Sequence, residues 1–157
     1  MSMFSMDPLE IQDPDIPECE PWSQLEMVMK EKEITGMYLS GHPLDDYRVE
    51  IDHFCSSTVS AVNEDINALK GRELQLAGIV TSAKHGTTKN GKPFGTFMIE
   101  DYTDSMRIAL FSEDYLKFRH FLKPDEFLFV NGKVDLRFRS EDTCEFKPYR
   151  IQLLSEV

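Results

Sequence analysis

Cysteine is scarce in this chain of 157 residues: Cys19, Cys55 and Cys144 are an odd number, far apart, with no Cys-x-x-Cys pair. That spacing excludes a disulfide framework and a thiolate zinc site, and it points to a reducing compartment. Long apolar runs are missing too. No stretch reaches the roughly 20 residues that cross a bilayer, and the start lacks the basic-then-apolar pattern of a secretion signal. A cytoplasmic chain with no membrane partner is the expectation. Nor is there a catalytic constellation. Glu100, Asp101 and Asp104 are the nearest acidic cluster, but they fall in a turn, where carboxylates ordinarily satisfy backbone N–H groups. His42, Asp45 and Asp46 beside Pro43 read as a helix cap. No catalytic residue, metal ligand or cofactor is expected.

Positive charge is short, but unevenly so. The net charge of −11 falls wholly in residues 1–70, which hold 15 Asp or Glu against 4 Lys or Arg, whereas residues 71–157 hold 13 of each. A low pI argues against nucleic-acid binding only if the local field is negative as well, and the second part is neutral with clustered positives. The charge step coincides with a change of pattern. Residues 1–21 read as a flexible acidic linker, with four prolines and six acids between Asp7 and Pro21 and too little apolar surface to pack. Residues 22–70 read as a helical connector. Ser23 and Glu26 form an S-x-x-E capping box, which predicts a helix running to about Leu39, with Leu25, Val28 and Met29 as its stripe. Gly41-His42-Pro43 breaks it. A second short helix, about Leu44 to Phe54, repeats Leu44, Tyr47, Ile51 and Phe54 on one face, and residues 63–70 add a further turn.

What the chain does have is strand pattern, from residue 71 onward. Strands are predicted at Glu73–Ala83, Phe94–Asp101, Ser105–Ser112, Glu126–Phe138 and Lys147–Leu154, with a helix at Glu113–Leu122. In the fourth strand Leu128, Val130, Val134, Leu136 and Phe138 share one parity, predicted inward, and leave Phe127 and Phe129 exposed. The third points Met106, Ile108 and Leu110 inward, with Arg107, Ala109 and Phe111 outward. Gly78 and Gly132 interrupt the first and fourth strands where long strands must bend. Three strands, one helix and two strands is the layout of the five-stranded Greek-key OB barrel. The predicted fold is therefore mainly β, an OB-fold barrel over residues 71–157 with an N-terminal helical appendage.

Two stretches carry a family resemblance. The run EKEITGMYLSGHPLDDY, Glu31 to Tyr47, resembles the E-K-E-x-x-G-x-Y-L-[ST]-G-H-P-[LI] segment of bacterial DNA polymerase III alpha subunits. Gly71 to Phe111 is similar to the OB domain that follows that segment in the family. The resemblance implies a piece of a much larger replicative polymerase, without the carboxylates that polymerise nucleotides. It implies DNA replication as the setting, with single-stranded DNA and the remaining polymerase domains as partners. Ser2, Met3 and Phe4 resemble the tail of the family's sliding-clamp motif, lacking its leading Gln.

Candidate binding residues follow from the chemistry. Lys84-His85-Gly86-Thr87-Thr88-Lys89-Asn90-Gly91-Lys92-Pro93 holds three lysines and no acid. As a loop beside the OB binding face, it offers Lys84, Lys89 and Lys92 for phosphate charge, and His85, Thr87, Thr88 and Asn90 for hydrogen bonds. Phe94 and Phe111 are candidate stacking platforms, with Arg107 on the same outward row. Arg137 and Arg139 end the fourth strand and flank a second loop that also carries Glu141, Asp142 and Glu145. The function expected is single-stranded DNA binding. The alternative is a protein-docking module of the replisome, motivated by Phe127 and Phe129; an RNA-binding synthetase module is disfavoured by the GHP segment.

Overall fold

A computed structural model describes residues 14–157; residues 1–13 of the acidic linker, Ser2, Met3 and Phe4 among them, lie outside the described residues. Five antiparallel strands, β1 (Glu73–Thr87), β2 (Pro93–Glu100), β3 (Ser105–Phe111), β4 (Phe127–Leu136) and β5 (Cys144–Leu153), pair in the order β3-β2-β1-β4-β5. The outer members of that order, β3 and β5, approach each other, so the sheet curls into a barrel. No backbone ladder joins them among the described residues, which leaves a seam. This is the mainly β barrel that the alternation predicts.

Inward residues of all five strands form one core, among them Leu76, Phe97, Ile108, Leu128, Val134 and Phe146. Phe118 and Leu122 close one end of it from helix α4 (Ser112–Phe118) and the 3-10 turn Arg119–Phe121 that follows. Gly132 sits at an irregularity in the β4–β5 register, where a Cβ would collide with the Phe146 ring and the Lys147 carbonyl. The close approach needs glycine there, as the interrupted alternation suggested. Cys144, outside the predicted fifth strand, is a buried core residue, because β5 starts three residues before the predicted Lys147.

The helical connector packs on the barrel's outside. Helix α1 (Gln24–Thr35) starts at the predicted capping box: the Glu26 amide donates to the Ser23 hydroxyl (3.2 Å) and the Ser23 amide to the Glu26 carboxylate (2.9 Å). It ends at Thr35, four residues before the expected Leu39, because Gly36 takes the left-handed cap at φ 81°. The predicted second helix is a 3-10 turn, Pro43–Tyr47, running into helix α2 (Arg48–Phe54). Helix α3 (Val59–Glu64), capped by the Thr58 hydroxyl, begins before the predicted extra turn and buries Val59 and Val62 in the barrel core.

This packing corrects one expectation. Phe129 is 6% exposed, clustered with Leu44, Ala77, Ile79 and Leu154, and Phe127 lies against Tyr47 at 5.0 Å between ring centroids. The apolar residues of that row, Phe127 and Phe129, are therefore packed against the appendage, while Lys133 and Asp135 farther along it stay exposed.

The segment with the family resemblance forms this joint. Lys32 Nζ donates to both Glu100 carboxylate oxygens (2.8 and 2.9 Å) and to the Tyr38 hydroxyl (3.2 Å). The Glu31 carboxylate accepts from the Leu39 and Ser40 amides (3.0 and 2.8 Å), which holds the chain's return from α1. His42 lies between Tyr38 and Tyr102, with ring centroids 4.9 and 4.5 Å away. Its Nδ1 accepts from the Leu44 amide, Asp45 accepts from the His42 amide, and the Tyr102 hydroxyl donates to Asp45. The His42–Asp45 cap is as predicted. Asp101, from the β2–β3 turn, accepts from the Thr103 and Asp104 amides and, across the joint, from the Val59 amide (2.8 Å). Asp101 thus holds backbone as expected, whereas Glu100, the last residue of β2 and not part of the turn, pairs with Lys32 instead.

Candidate nucleic-acid interface

A β-bulge decides which residues of β1 face solvent. Leu74, Leu76 and Val80 are buried in the core, but the register against β2 shifts between Val80 and Ser82. One extra residue reverses the parity of the strand beyond it. Ala83 therefore packs toward the core, and Lys84, which shares the parity of Val80, turns outward. β1 continues to Thr87, four residues past the expected Ala83. The predicted loop thus shrinks to Thr88–Lys92.

The pairings then place three rows on one outward face. Ser82 lies beside Met98 and Arg107, Lys84 beside Thr96 and Ala109, and Gly86 beside Phe94 and Phe111. Phe94 and Phe111 stack at 6.2 Å between centroids with planes 26° apart, an offset geometry favoured by the ring quadrupoles. Phe94 also lies over Gly86, where a Cβ would strike its ring. Phe111 keeps 53% of its surface exposed, so one aromatic face is open to a ligand.

Between this face and the β4–β5 hairpin, along the seam, runs a groove of about 800 Å³ lined by Phe94, Arg107, Phe111, Arg137, Phe138 and Lys147 among others. That volume is within the range of ligand sites. Four predicted residues (Phe94, Arg107, Phe111 and Arg137) meet here from β2, β3 and the hairpin. Arg107 and Arg137 are exposed and make no ion pair among the described residues. Asp114 and Glu145 also line the groove, so its charge is mixed. Lys147 is partly occupied: its ammonium donates to the Leu136 carbonyl (2.7 Å) and lies 4.0 Å from Glu145.

The other predicted residues divide. Lys84 is on the outward face, and Lys89, Asn90 and Lys92 are exposed at the β1–β2 tip, beyond the groove lining. The Gly91 amide donates to the Thr88 carbonyl (2.9 Å) with Gly91 at φ 77°, so Lys89 and Asn90 are the corner of a tight turn. The Thr88 hydroxyl accepts from the Lys92 amide (3.1 Å) and shapes the tip. Thr87 is exposed and pairs with Pro93. His85 shares the register row of Gly95 and Leu110, with one ring nitrogen 2.9 Å from the Tyr115 hydroxyl and the other 3.2 Å from the Leu122 carbonyl. Both nitrogens are thereby engaged, and His85 anchors α4 to β1. Arg139 lies outside the groove lining, its guanidinium 5.3 Å from the centre of the Phe138 ring.

Phe138 is the groove residue that sequence reasoning misplaced. The alternation put it inside, but β4 ends at Leu136 and Phe138 is 81% exposed. The polar run Arg139-Ser140-Glu141-Asp142 directly after it was the available signal that the strand had ended.

Residues 74–154 match the family model described as an OB-fold nucleic acid binding domain. The chain is 35% identical over 136 residues to the DNA polymerase III subunit alpha of Borreliella burgdorferi, covering 86% of this chain and 12% of that protein. It is 29% identical over 116 residues to the same subunit of Escherichia coli O157:H7, covering 74% of this chain and 10% of that one. The chain thus spans about a tenth of the length of these relatives. Among solved structures, the asparaginyl-tRNA synthetase of Pyrococcus horikoshii aligns with a TM-score of 0.43 and 19% identity, over 62% of this chain and 22% of that one. The chain belongs to the family of OB-fold nucleic acid binding domains and, over most of its length, is similar to a segment of DNA polymerase III alpha subunits.

Proposed function

We propose that this domain binds single-stranded DNA within a replicative polymerase, in the bacterial cytoplasm, holding unpaired template ahead of an active site carried elsewhere. The observation behind this is the meeting of a stacked Phe94–Phe111 pair with Arg107 and Arg137 along one seam. Bases stack on the open face of Phe111, a contact worth about 1–3 kcal/mol per base. Lys84, Arg107 and Arg137 neutralise phosphates, and Lys89 and Lys92 extend the positive field along the strand's exit. No base-edge reader is required, so binding is tolerant of sequence.

Fluorescence anisotropy of a labelled oligo-dT tests this. Three phosphate contacts give a slope of log K against log salt of about −2, at roughly −0.7 per contact for single strands. Absence of binding at low salt would defeat the reading.

A second reading, docking to other domains of the polymerase or to the clamp, draws on a different place. Ile34 in the last turn of α1, and Met37 and Leu39 on the turn after it, are exposed. That turn is held by Glu31 and by the Thr35 hydroxyl, whose one proton is within reach of the Glu31 and Met37 carbonyls (2.7 and 3.0 Å). An ordered turn displaying apolar side chains suits a protein surface. Capture of clamp or polymerase domains by the chain, with oligonucleotide binding undetectable, would favour it.

A further inference from the structure

The β4–β5 hairpin breaks two local rules at adjacent residues. The Ser140 amide donates to the Arg137 carbonyl (2.9 Å), so Phe138 and Arg139 are the two corner residues of a four-residue turn. Arg139 has φ 63° and Phe138 does not share that sign, the pattern of a turn whose third position calls for glycine or asparagine. Arginine there is strained, and Phe138 beside it exposes 81% of a large apolar surface. Neither departure is needed to close the hairpin. The strand ladder is already closed below the turn by the Arg137 amide, which donates to the Thr143 carbonyl (2.8 Å), and the Ser140 hydroxyl accepts from the Thr143 amide (3.1 Å).

The two departures act together. The left-handed residue sets the direction of the corner, and the corner holds Phe138 at the groove's edge, across the seam from the Phe94–Phe111 pair. The Arg139 guanidinium lies over the Phe138 ring at 5.3 Å, attracted to the negative ring face it covers, and limits the ring's freedom. A ring held by a cation on one side presents its other side to a flat ligand.

From this geometry we infer that Phe138 is a second base-stacking wall. An unpaired base enters the groove between Phe111 on β3 and Phe138 on the hairpin, while Arg139 carries the neighbouring phosphate. The inference rests on the single-strand reading above and adds a subsite to it: the groove sandwiches one base, where Phe111 alone would provide a one-sided platform. Arg139, outside the groove lining, is the residue that positions Phe138.

The test uses the intact chain and labelled oligo-dT. Phe138→Ala and Phe138→Leu each weaken binding by about tenfold, within the range for one stacked base. Phe138→Trp binds at least as well as the parent, and its added indole fluorescence is quenched by the oligonucleotide. The salt slope stays unchanged in all three, since no charge is altered. Arg139→Gly relieves the left-handed strain and raises the melting temperature while weakening the oligonucleotide. The inference is overturned if Phe138→Ala binds like the parent while Phe111→Ala weakens binding; the groove reading then survives alone. It is also overturned if Phe138→Leu retains full affinity, because apolar bulk rather than a π face would then suffice. An intact chain that binds no oligonucleotide overturns both.

Discussion

Removing Lys32 tests whether the helical connector and the barrel are one cooperative unit. In Lys32→Ala the Glu100 carboxylate loses two charge-assisted hydrogen bonds, of 2.8 and 2.9 Å, and the Tyr38 hydroxyl loses its partner. The Lys32 and Glu100 side chains are 31% and 21% exposed, so the pair lies between two limits. A solvent-exposed pair contributes about 0–1 kcal/mol, and breaking a fully buried one costs about 3–5 kcal/mol. Hydrogen bonds to charged groups contribute about 1.5–3 kcal/mol, and partial solvent access places the expected loss near 2 kcal/mol. For a domain of this size that lowers the melting temperature by about 4–8 °C. Circular dichroism with urea and heat reads it, in a double-mutant cycle with Glu100→Gln. Coupling near 1–2 kcal/mol is expected. A coupling below about 0.5 kcal/mol, the value of an exposed pair, would refute this account of the joint.

Three further outcomes follow from the same structure. Burial holds the His42 imidazole below its ordinary pKa, and its neutral Nδ1 accepts the Leu44 amide; the stability this gives is whole above about pH 6.5 and is lost as pH falls through the lowered folded value. The melting temperature should therefore drop from pH 7 to 5, and His42→Asn, which keeps a cap acceptor without titrating, should flatten that drop. Burial pushes the Cys55 thiol up to about 11, and Cys144 is buried while Cys19 is exposed; mass spectrometry after iodoacetamide at pH 8 should find one label on the native chain and three after denaturation. Gly132→Ala drives a Cβ into the Phe146 ring and the Lys147 carbonyl, and it should cost about 1–3 kcal/mol in urea unfolding.

The barrel was legible because its strands alternate, and alternation encodes a single buried face. It failed where that assumption failed. The first half of β4 is buried on both faces, Leu128 and Val130 inward and Phe129 beneath the connector. A strand pattern cannot announce a second cover supplied by residues some eighty positions earlier. Phe138 was misread for the opposite reason: the parity was extended past the end of the ladder into a turn. The bulge after Val80 could not be seen either, since one extra residue leaves composition unchanged yet sends Lys84 outward. Capping signals fared better. Ser23 with Glu26, and His42 with Asp45, are short-range patterns whose geometry depends on little else. Phe94, Arg107, Phe111 and Arg137, candidates by residue type and position, line one groove. Their meeting along the seam needed the curl that brings β3 toward β5.

Chemical-shift mapping of the isotope-labelled chain with unlabelled oligo-dT addresses the groove most directly. Binding along the seam predicts the largest shifts at Phe94, Thr96, Arg107, Phe111 and the Arg137–Ser140 corner, smaller ones at the Lys89–Lys92 tip, and none on α1. Shifts confined to α1 and the turn after it, with the seam silent, would contradict the account.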